Sequence, residues 1–347
     1  MPDAGSVNPF TTANAPTDLN QREYTVRITP TFPTAGQTNV LPGLPQGQSS
    51  VTGWLVYRLY LPNNPNDPKA GVPLPRLNIN GSPLATCTDL EQRVLDKILG
   101  PVLAAVVSAG STDPTKIVND PALWRRSPSV AGIFANPDNQ YLVAGTEWAP
   151  GRLVVIRGKG PTFPITENPV NESVTKPTQL RYWDMCSNEA VDPFPAVLCQ
   201  ADADTALDAD GLYTYVVSIP QDRPANATTA NHVTWLPWQI QTTATYPTSV
   251  VNGLLYLRNM LPSSTFDQAA QNVPQPGAGA TAEQLAAQAA AAMGPYYPTG
   301  VYCDKALFEA KGPKACFTST APPSTDAFVV VPGPAAAVPA PSLTFVG

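Results

Sequence analysis

Proline is the sequence feature that most limits how this chain can fold. The 347 residues include 41 prolines, more than twice the usual share of about 5%. Proline lacks a backbone N–H, so it is tolerated mainly in turns, edge strands and irregular connections. The chain is therefore predicted to be mainly β, with many short strands joined by loops.

Four of the five cysteines fall into two pairs with equal spacing. Twelve residues, 187–198, separate Cys186 from Cys199, and twelve, 304–315, separate Cys303 from Cys316. Both intervening segments have a loop-like composition, so local pairing predicts two disulfides and leaves Cys87 over. Such bonds are typical of exported proteins, and the alternative is five unrelated buried thiols in a cytosolic protein.

Charge and hydropathy bear on partners and location. The formal net charge is −6, and the densest basic cluster is only Arg125-Arg126, so a nucleic-acid partner is not expected. The longest apolar run, 98–107, is too short for a membrane span of about 20 residues. The polar first residues contain no signal peptide, so an extracellular or cell-envelope location implies that a signal was removed.

Alternation of polar and apolar residues marks the predicted strands. Segments 22–33 and 52–62 alternate in this way. Six further runs follow residue 140: YLVAGTEW, RLVVIRGK, LRYWDM, LYTYVVSI, HVTWLPWQI and GLLYLRNM. Turn residues separate them, which predicts an antiparallel β-sandwich or jelly roll with one or two accessory helices.

The two predicted helices both begin at a capping box. One spans 88–107 and carries a stripe of Leu, Ile and Val. The other starts after Thr281, and its shallow alanine-rich face predicts a surface position. The expected organisation is an extended tail at 1–20, an N-terminal β segment at 21–130 that includes helix 88–107, a β-sandwich with both disulfide loops at 131–320, and a Pro/Ala-rich tail at 321–347.

Short motifs within residues 132–262 resemble a known family. They are RGKGPTFP, RYWDMCSNE, DADGLYTYVVS, TWLPW and LLYLRNMLP. In type and order they are similar to motifs of bacterial exported proteins in the family called domain of unknown function twelve-fourteen. The resemblance implies a jelly-roll-like sandwich and export, and it implies no particular reaction.

Sets of catalytic residues are sparse. There is no G-x-S-x-G motif, and His232 is the only imidazole, so a serine hydrolase, a zinc site and a non-haem iron site are not expected. His232 is interpreted as a loop or strand-edge residue, with a weak catalytic alternative. A carboxylate pair for glycoside hydrolysis stays open, and its candidates are Glu147, Asp184, Glu189 and Asp192.

Two further groups are candidates for binding. The run DADTALDADG offers oxygen ligands for calcium or a simple hairpin turn; its acidic residues are Asp202, Asp204, Asp208 and Asp210. Aromatic and arginine side chains on strands form either a stacking surface for a carbohydrate or apolar small molecule, or part of the core; they are Arg181, Trp183, Trp235, Trp238 and Arg258.

Three functions are weighed from these features. The first is a secreted or cell-envelope β-sandwich protein with a binding or structural role and without catalysis. The second is an extracytoplasmic hydrolase or lyase that uses a carboxylate pair. The third is a self-assembling surface protein whose proline-rich tails contact neighbouring subunits. Apart from calcium, no cofactor is expected.

Overall fold

The structure is a computed structural model. It describes residues 23–30, 34, 36–42, 76, 78–79, 82–83, 118–127, 138–164, 178–190, 194, 196–238, 251–277 and 279–318. Several predicted features lie outside these residues: the strand at 52–62, the helix at 88–107, Cys87, Asp192, and the tails 1–20 and 321–347.

Two sheets dominate the described part of the chain. In chain order the strands are β1 (Arg27–Thr29), β2 (Val40–Pro42), β3 (Asn78–Ile79), β4 (Ser82–Pro83), β5 (Arg125–Arg126), β6 (Asn139–Glu147), β7 (Arg152–Lys159), β8 (Leu180–Glu189), β9 (Ala196–Ala201), β10 (Leu212–Ser218), β11 (Thr234–Pro237), β12 (Asn252–Pro262) and β13 (Thr299–Asp304). The five-stranded sheet has the order β5-β6-β12-β8-β9, and the four-stranded sheet has the order β11-β10-β7-β13. Two short pairs, β1-β2 and β3-β4, stand apart from them.

The two large sheets pack face to face, which confirms the prediction of a mainly β fold of sandwich type. Alternation along β8 turns Trp183 and Met185 inward, and alternation along β7 does the same for Val154 and Ile156. All four side chains are at most 1% exposed. All strand pairs in the two sheets are antiparallel except β10 with β11, which is parallel.

Residues 118–127 close one edge of the sandwich. The Tyr302 hydroxyl on β13 donates to the Asn119 carbonyl at 3.0 Å, and a few residues later the chain forms β5 in the other sheet. Gly300 makes this crossing possible, because a Cβ at that position would lie 2.1 Å from the Pro121 carbonyl oxygen. The missing side chain thus lets two backbones touch.

Three α-helices are described. Helix α1 (Ala282–Met293) begins at the predicted capping box of Thr281 and Gln284. Helices α2 (Lys305–Lys311) and α3 (Pro313–Thr318) fill the segment between Cys303 and Cys316, which the sequence had indicated as a loop. None of the described helices is long and apolar enough to cross a membrane.

Both predicted disulfides are present. Cys186 on β8 bonds to Cys199, its direct partner across the β8-β9 ladder. Cys303 on β13 bonds to Cys316 on α3, and this bond holds α2 against the four-stranded sheet. There Phe308 is fully buried and belongs to the same apolar cluster as Leu153. One disulfide therefore links two strands of the five-stranded sheet, and the other links a strand of the four-stranded sheet to a helix.

Candidate functional site

The outer face of the five-stranded sheet, turned away from the other sheet, carries charged and phenolic side chains in rows. One row joins Tyr141 on β6, Arg258 on β12 and Asp184 on β8, which are direct partners across the ladder. Their sequence neighbours Leu142, Leu257 and Met185 lie in the core, so alternation turns the row outward. The sequence had indicated Asp184 and Arg258 separately, and the sheet brings them together.

Asp184 is a buried and paired carboxylate. It is 1% exposed, its Oδ2 accepts a hydrogen bond from the Tyr182 hydroxyl at 2.8 Å, and Oδ2 lies 3.4 Å from Arg258 Nη1. Burial raises the pKa of Asp184, and the Arg258 charge and the Tyr182 hydrogen bond oppose that rise. The ion pair accounts for the arginine on this strand.

A second buried carboxylate, Asp202, lies just after β9. Its Oδ2 accepts from the Trp183 backbone N–H at 3.0 Å, and its Oδ1 accepts from the Ala203 N–H at 2.8 Å. Burial raises the pKa of Asp202 to about 6, the two backbone N–H groups oppose the rise, and the Asp184 charge adds to it. Arg181 acts on Asp202 as a nearby opposing charge.

The next row of the outer face carries Arg125 and Tyr256. Arg125 is opposite Val143 on β6, and Val143 is opposite Tyr256 on β12. Tyr256 meets Tyr141 edge to face, with ring centroids 6.0 Å apart. Burial raises the pKa of Tyr256 to about 12, Tyr141 adds to the rise, and the Arg125 charge opposes it. We call Arg125, Tyr141, Tyr256 and Arg258 the Arg/Tyr surface.

Two buried donor atoms of the Arg/Tyr surface, Arg125 Nη1 and Arg258 Nε, have no hydrogen-bond acceptor in the described part of the chain. The Arg258 guanidinium also lies over the Tyr141 ring at 5.1 Å, and its Nη1 pairs with Asp184. All four residues of the surface are half-buried. The arrangement places a cationic donor and two phenol rings on the same face of the sheet, which suits an anion that also has an apolar face.

The predicted tryptophan stacking surface is not assembled. Trp183 is fully buried, and its Nε1–H donates to the Pro161 carbonyl at 3.0 Å. Trp238 is 3% exposed and also lies in the core. Trp235 points to the outer side of the four-stranded sheet, where Arg223 stacks 4.5 Å above its ring. Two of the three rings therefore lie in the core and the third lies on the outer side of the four-stranded sheet. Only Arg258 of the predicted ligand set reaches the Arg/Tyr surface.

Among the candidate catalytic carboxylates that the structure describes, Glu147 and Glu189 do not pair with each other. Glu147 is opposite Asn252 and Glu189 is opposite Gly253 on β12, so the two side chains leave opposite faces of the sheet. Glu147 lies 3.7 Å from Arg152 Nη1, and burial raises the pKa of Glu189. His232 is exposed, and its Nδ1 lies 2.8 Å from the Leu207 carbonyl, as expected for a residue with a single hydrogen bond.

The four aspartates of the predicted calcium run are dispersed. Asp208 caps a turn, since its Oδ1 accepts from the backbone N–H groups of Asp210 and Leu212, and its Oδ2 lies 2.6 Å from Arg157 Nη2. Asp204 and Asp210 are exposed, whereas Asp202 faces β8. No three of these carboxylates come within 4.8 Å of one another. The hairpin-turn interpretation therefore describes this segment.

One compact group of potential metal ligands occurs in the described ranges, namely Asp184, Cys186 and Cys199. The two sulfur atoms are bonded to each other, so they cannot act as thiolate ligands.

Sequence analysis had missed Arg125, Tyr141, Tyr182 and Tyr256 as site residues. Period-two alternation could have placed each on a face, but only the strand order and register show that they are neighbours.

Comparison with known proteins adds no family. No protein-family model matches the sequence, and no curated protein matches it. A solved structure of an uncharacterised protein from Burkholderia cenocepacia shares 14% identity and a TM-score of 0.28 over 52% of this chain and 35% of that chain. The VPA0106 protein from Vibrio parahaemolyticus shares 11% identity and a TM-score of 0.24 over 43% of this chain and 27% of its own.

The chain thus spans about a third or less of these solved structures. Similarity at these TM-scores carries no argument about fold or function. The resemblance to the family called domain of unknown function twelve-fourteen stays a prediction.

Proposed function

We propose that this chain is a secreted or cell-envelope protein that binds an acidic carbohydrate on its Arg/Tyr surface. The observation that carries the proposal is the buried Arg125 Nη1 without an acceptor. A guanidinium N–H removed from water without a partner is costly. A ligand carboxylate would supply the acceptor in the charge-assisted form that arginine favours.

The rings beside Arg125 fit the sugar part of such a ligand. Tyr141 and Tyr256 stand edge to face and offer both an apolar ring face and a hydroxyl, as sugar-binding sites require. The two disulfides favour export, because such bonds persist in oxidising compartments. Subcellular fractionation tests the location independently of any ligand.

Binding is favoured over catalysis because the carboxylate on this face is already engaged. The Oδ2 atom of Asp184 already accepts a hydrogen bond from Tyr182 and pairs with Arg258. The second candidate, an extracytoplasmic hydrolase or lyase, draws support from the raised pKa values of Asp184 and Asp202, since perturbed pKa values are frequent at active sites. Turnover of an acidic polysaccharide that is lost in Asp184→Asn would favour that candidate.

The binding proposal is tested by calorimetric titration with oligogalacturonate. Arg125→Gln removes the charge and keeps much of the side-chain length, and we expect Kd to rise at least tenfold, which equals about 1.4 kcal/mol. Arg223→Gln is the matched control, because Arg223 stacks on Trp235 over the other sheet, and we expect its Kd to stay within twofold of wild type. Thermal melts establish that both variants are folded.

Two outcomes would overturn the proposal. One is wild-type protein that fails to bind any of a panel of acidic oligosaccharides. The other is an Arg125→Gln variant that binds as tightly as wild type. The third function weighed from the sequence, self-assembly through the tails, stays a prediction.

A further inference from the structure

The two disulfides have the same sequence separation, 13, but opposite surroundings. Cys303 and Cys316 are 3% and 4% exposed and lie in the apolar cluster with Phe308. Cys186 is also buried, at 3% exposure, whereas Cys199 is exposed on β9, the last strand of its sheet. A soluble reagent can therefore approach one cysteine residue of the first bond and neither cysteine residue of the second.

A carboxyl group touches the buried sulfur of the accessible bond. Asp184 Oδ1 lies 3.6 Å from Cys186 Sγ. While the disulfide is intact this contact is not a hydrogen bond, because a bonded sulfur carries no proton. If the S–S bond breaks by attack at Cys199, the electron pair goes to Cys186 Sγ, where an acid already lies within reach.

We propose that the Cys186–Cys199 bond is a thiol-exchange site, at which a small soluble thiol forms a mixed disulfide with Cys199 while Asp184 protonates the departing Cys186 sulfur. This inference does not rest on carbohydrate binding.

The exchange balances without a further oxidant or reductant. The incoming thiolate forms a bond to Cys199 Sγ, the Cys199–Cys186 bond breaks, and Cys186 Sγ leaves with the electron pair. A proton moves from the Asp184 carboxyl group to that sulfur. In the reverse direction the Cys186 thiol returns its proton to Asp184 and attacks Cys199, which releases the small thiol and restores the bond.

The surroundings of Asp184 set when it holds its proton. Burial favours the protonated form and raises its pKa, whereas Arg258 on β12 and Tyr182 on its own strand favour the carboxylate. From the neighbouring elements, Asp202 after β9 and Tyr215 on β10 also interact with the Asp184 charge. Once ionised, Asp184 repels the developing Cys186 thiolate, so exchange should slow as pH rises through the pKa of Asp184.

Regiochemistry provides the first test. The folded chain, carrying Cys87→Ser so that the thiol of Cys87 cannot compete, is treated briefly with glutathione, quenched with an alkylating agent and mapped by peptide mass spectrometry. We expect glutathione on Cys199, the alkyl group on Cys186, and reaction at least tenfold faster than at Cys303–Cys316. Glutathione on Cys186, or equal rates at the two disulfides, would overturn the proposal.

The pH profile tests the role of Asp184. The rate constant, expressed per glutathione thiolate, should fall with rising pH in wild type and in the exposed control Asp204→Asn, and should be flat in Asp184→Asn. A wild-type rate constant that is independent of pH would refute proton donation. If Asp184→Asn does not fold, the wild-type profile and the regiochemistry still decide. Neither readout involves a carbohydrate, so failure here leaves the binding proposal intact.

Discussion

Asp202 should make the fold less stable as pH rises, and Asp202→Asn should remove that dependence. The carboxyl group has a pKa of about 6 in the folded chain against an ordinary 3.8. The folded state therefore holds the proton more tightly than the unfolded state does. Stability from this group is fully present below pH 3.8, is lost between pH 3.8 and about 6, and is constant above that range.

The size of the effect follows from the same two values. At about 1.4 kcal/mol per pH unit, the gap between 3.8 and about 6 corresponds to about 3 kcal/mol. Solvent screening is small because Asp202 is only 3% exposed. Asparagine at this position can accept only one of the two backbone hydrogen bonds, which lowers stability by about 1 kcal/mol at every pH.

The assay is urea unfolding with the disulfides intact, at pH values from about 3.5 to about 7.5. This range covers the titration of Asp202 in the unfolded and folded states. We expect the free energy of unfolding of wild type minus that of Asp202→Asn to fall by about 3 kcal/mol across this range. Asp204→Asn, an exposed change in the same turn, should follow wild type. A difference between wild type and Asp202→Asn that is constant with pH would refute the reasoning.

Three further changes test the packing. Gly300→Ala places a Cβ 2.1 Å from the Pro121 carbonyl oxygen and should lower the free energy of unfolding by about 1–3 kcal/mol. The control Gly277→Ala meets no atom within 4 Å and should change it little. Equal melting curves for the two variants would contradict the edge closure. Phe308→Ala empties the cluster under α2 and should cost about 3–5 kcal/mol in chemical denaturation; a loss below 1 kcal/mol would mean that α2 does not cover the sheet. Arg258→Met leaves Asp184 buried without its cation and should cost about 3–5 kcal/mol, and adding Asp184→Asn should recover part of that loss; an additive double variant would argue against the ion pair.

Local patterns in the sequence were enough to predict much of the fold. The runs YLVAGTEW and RLVVIRGK became β6 and β7, because alternation and flanking turns are local signals. Equal cysteine spacing predicted both disulfides. The helix after Thr281 was confirmed together with its capping box. The predicted surface position does not hold for the side of the helix that carries Ala286 and Ala289, which are buried.

Features that depend on distant parts of the chain were not predicted. The segment after Cys303 reads as a loop because its helices α2 and α3 are short and depend on packing Phe308 against the sheet. The parallel pairing of β11 with β10 also has no local signal.

The candidate site was predicted only in part for the same reason. Asp184 and Arg258 stood out singly as charges on predicted strands, and their pairing depends on the β8-β12 register. The sequence left open whether Trp183 lies in the core or on the surface. The facing sheet decides this, because the Trp183 ring lies 5.6 Å from the ring of Tyr213 on β10. Arg125 drew attention only as half of a basic dipeptide, because β5 is two residues long.

The most direct test of the central claim is to compare oligogalacturonate with its methyl ester in calorimetric titrations. Esterification removes the negative charge and keeps the sugar rings, so only the contact with Arg125 should change. We expect wild type to bind the acid at least tenfold more tightly than the ester, about 1.4 kcal/mol, and Arg125→Gln to bind both equally weakly. Equal affinity of wild type for acid and ester, or a preference for the acid that survives in Arg125→Gln, would contradict the claim.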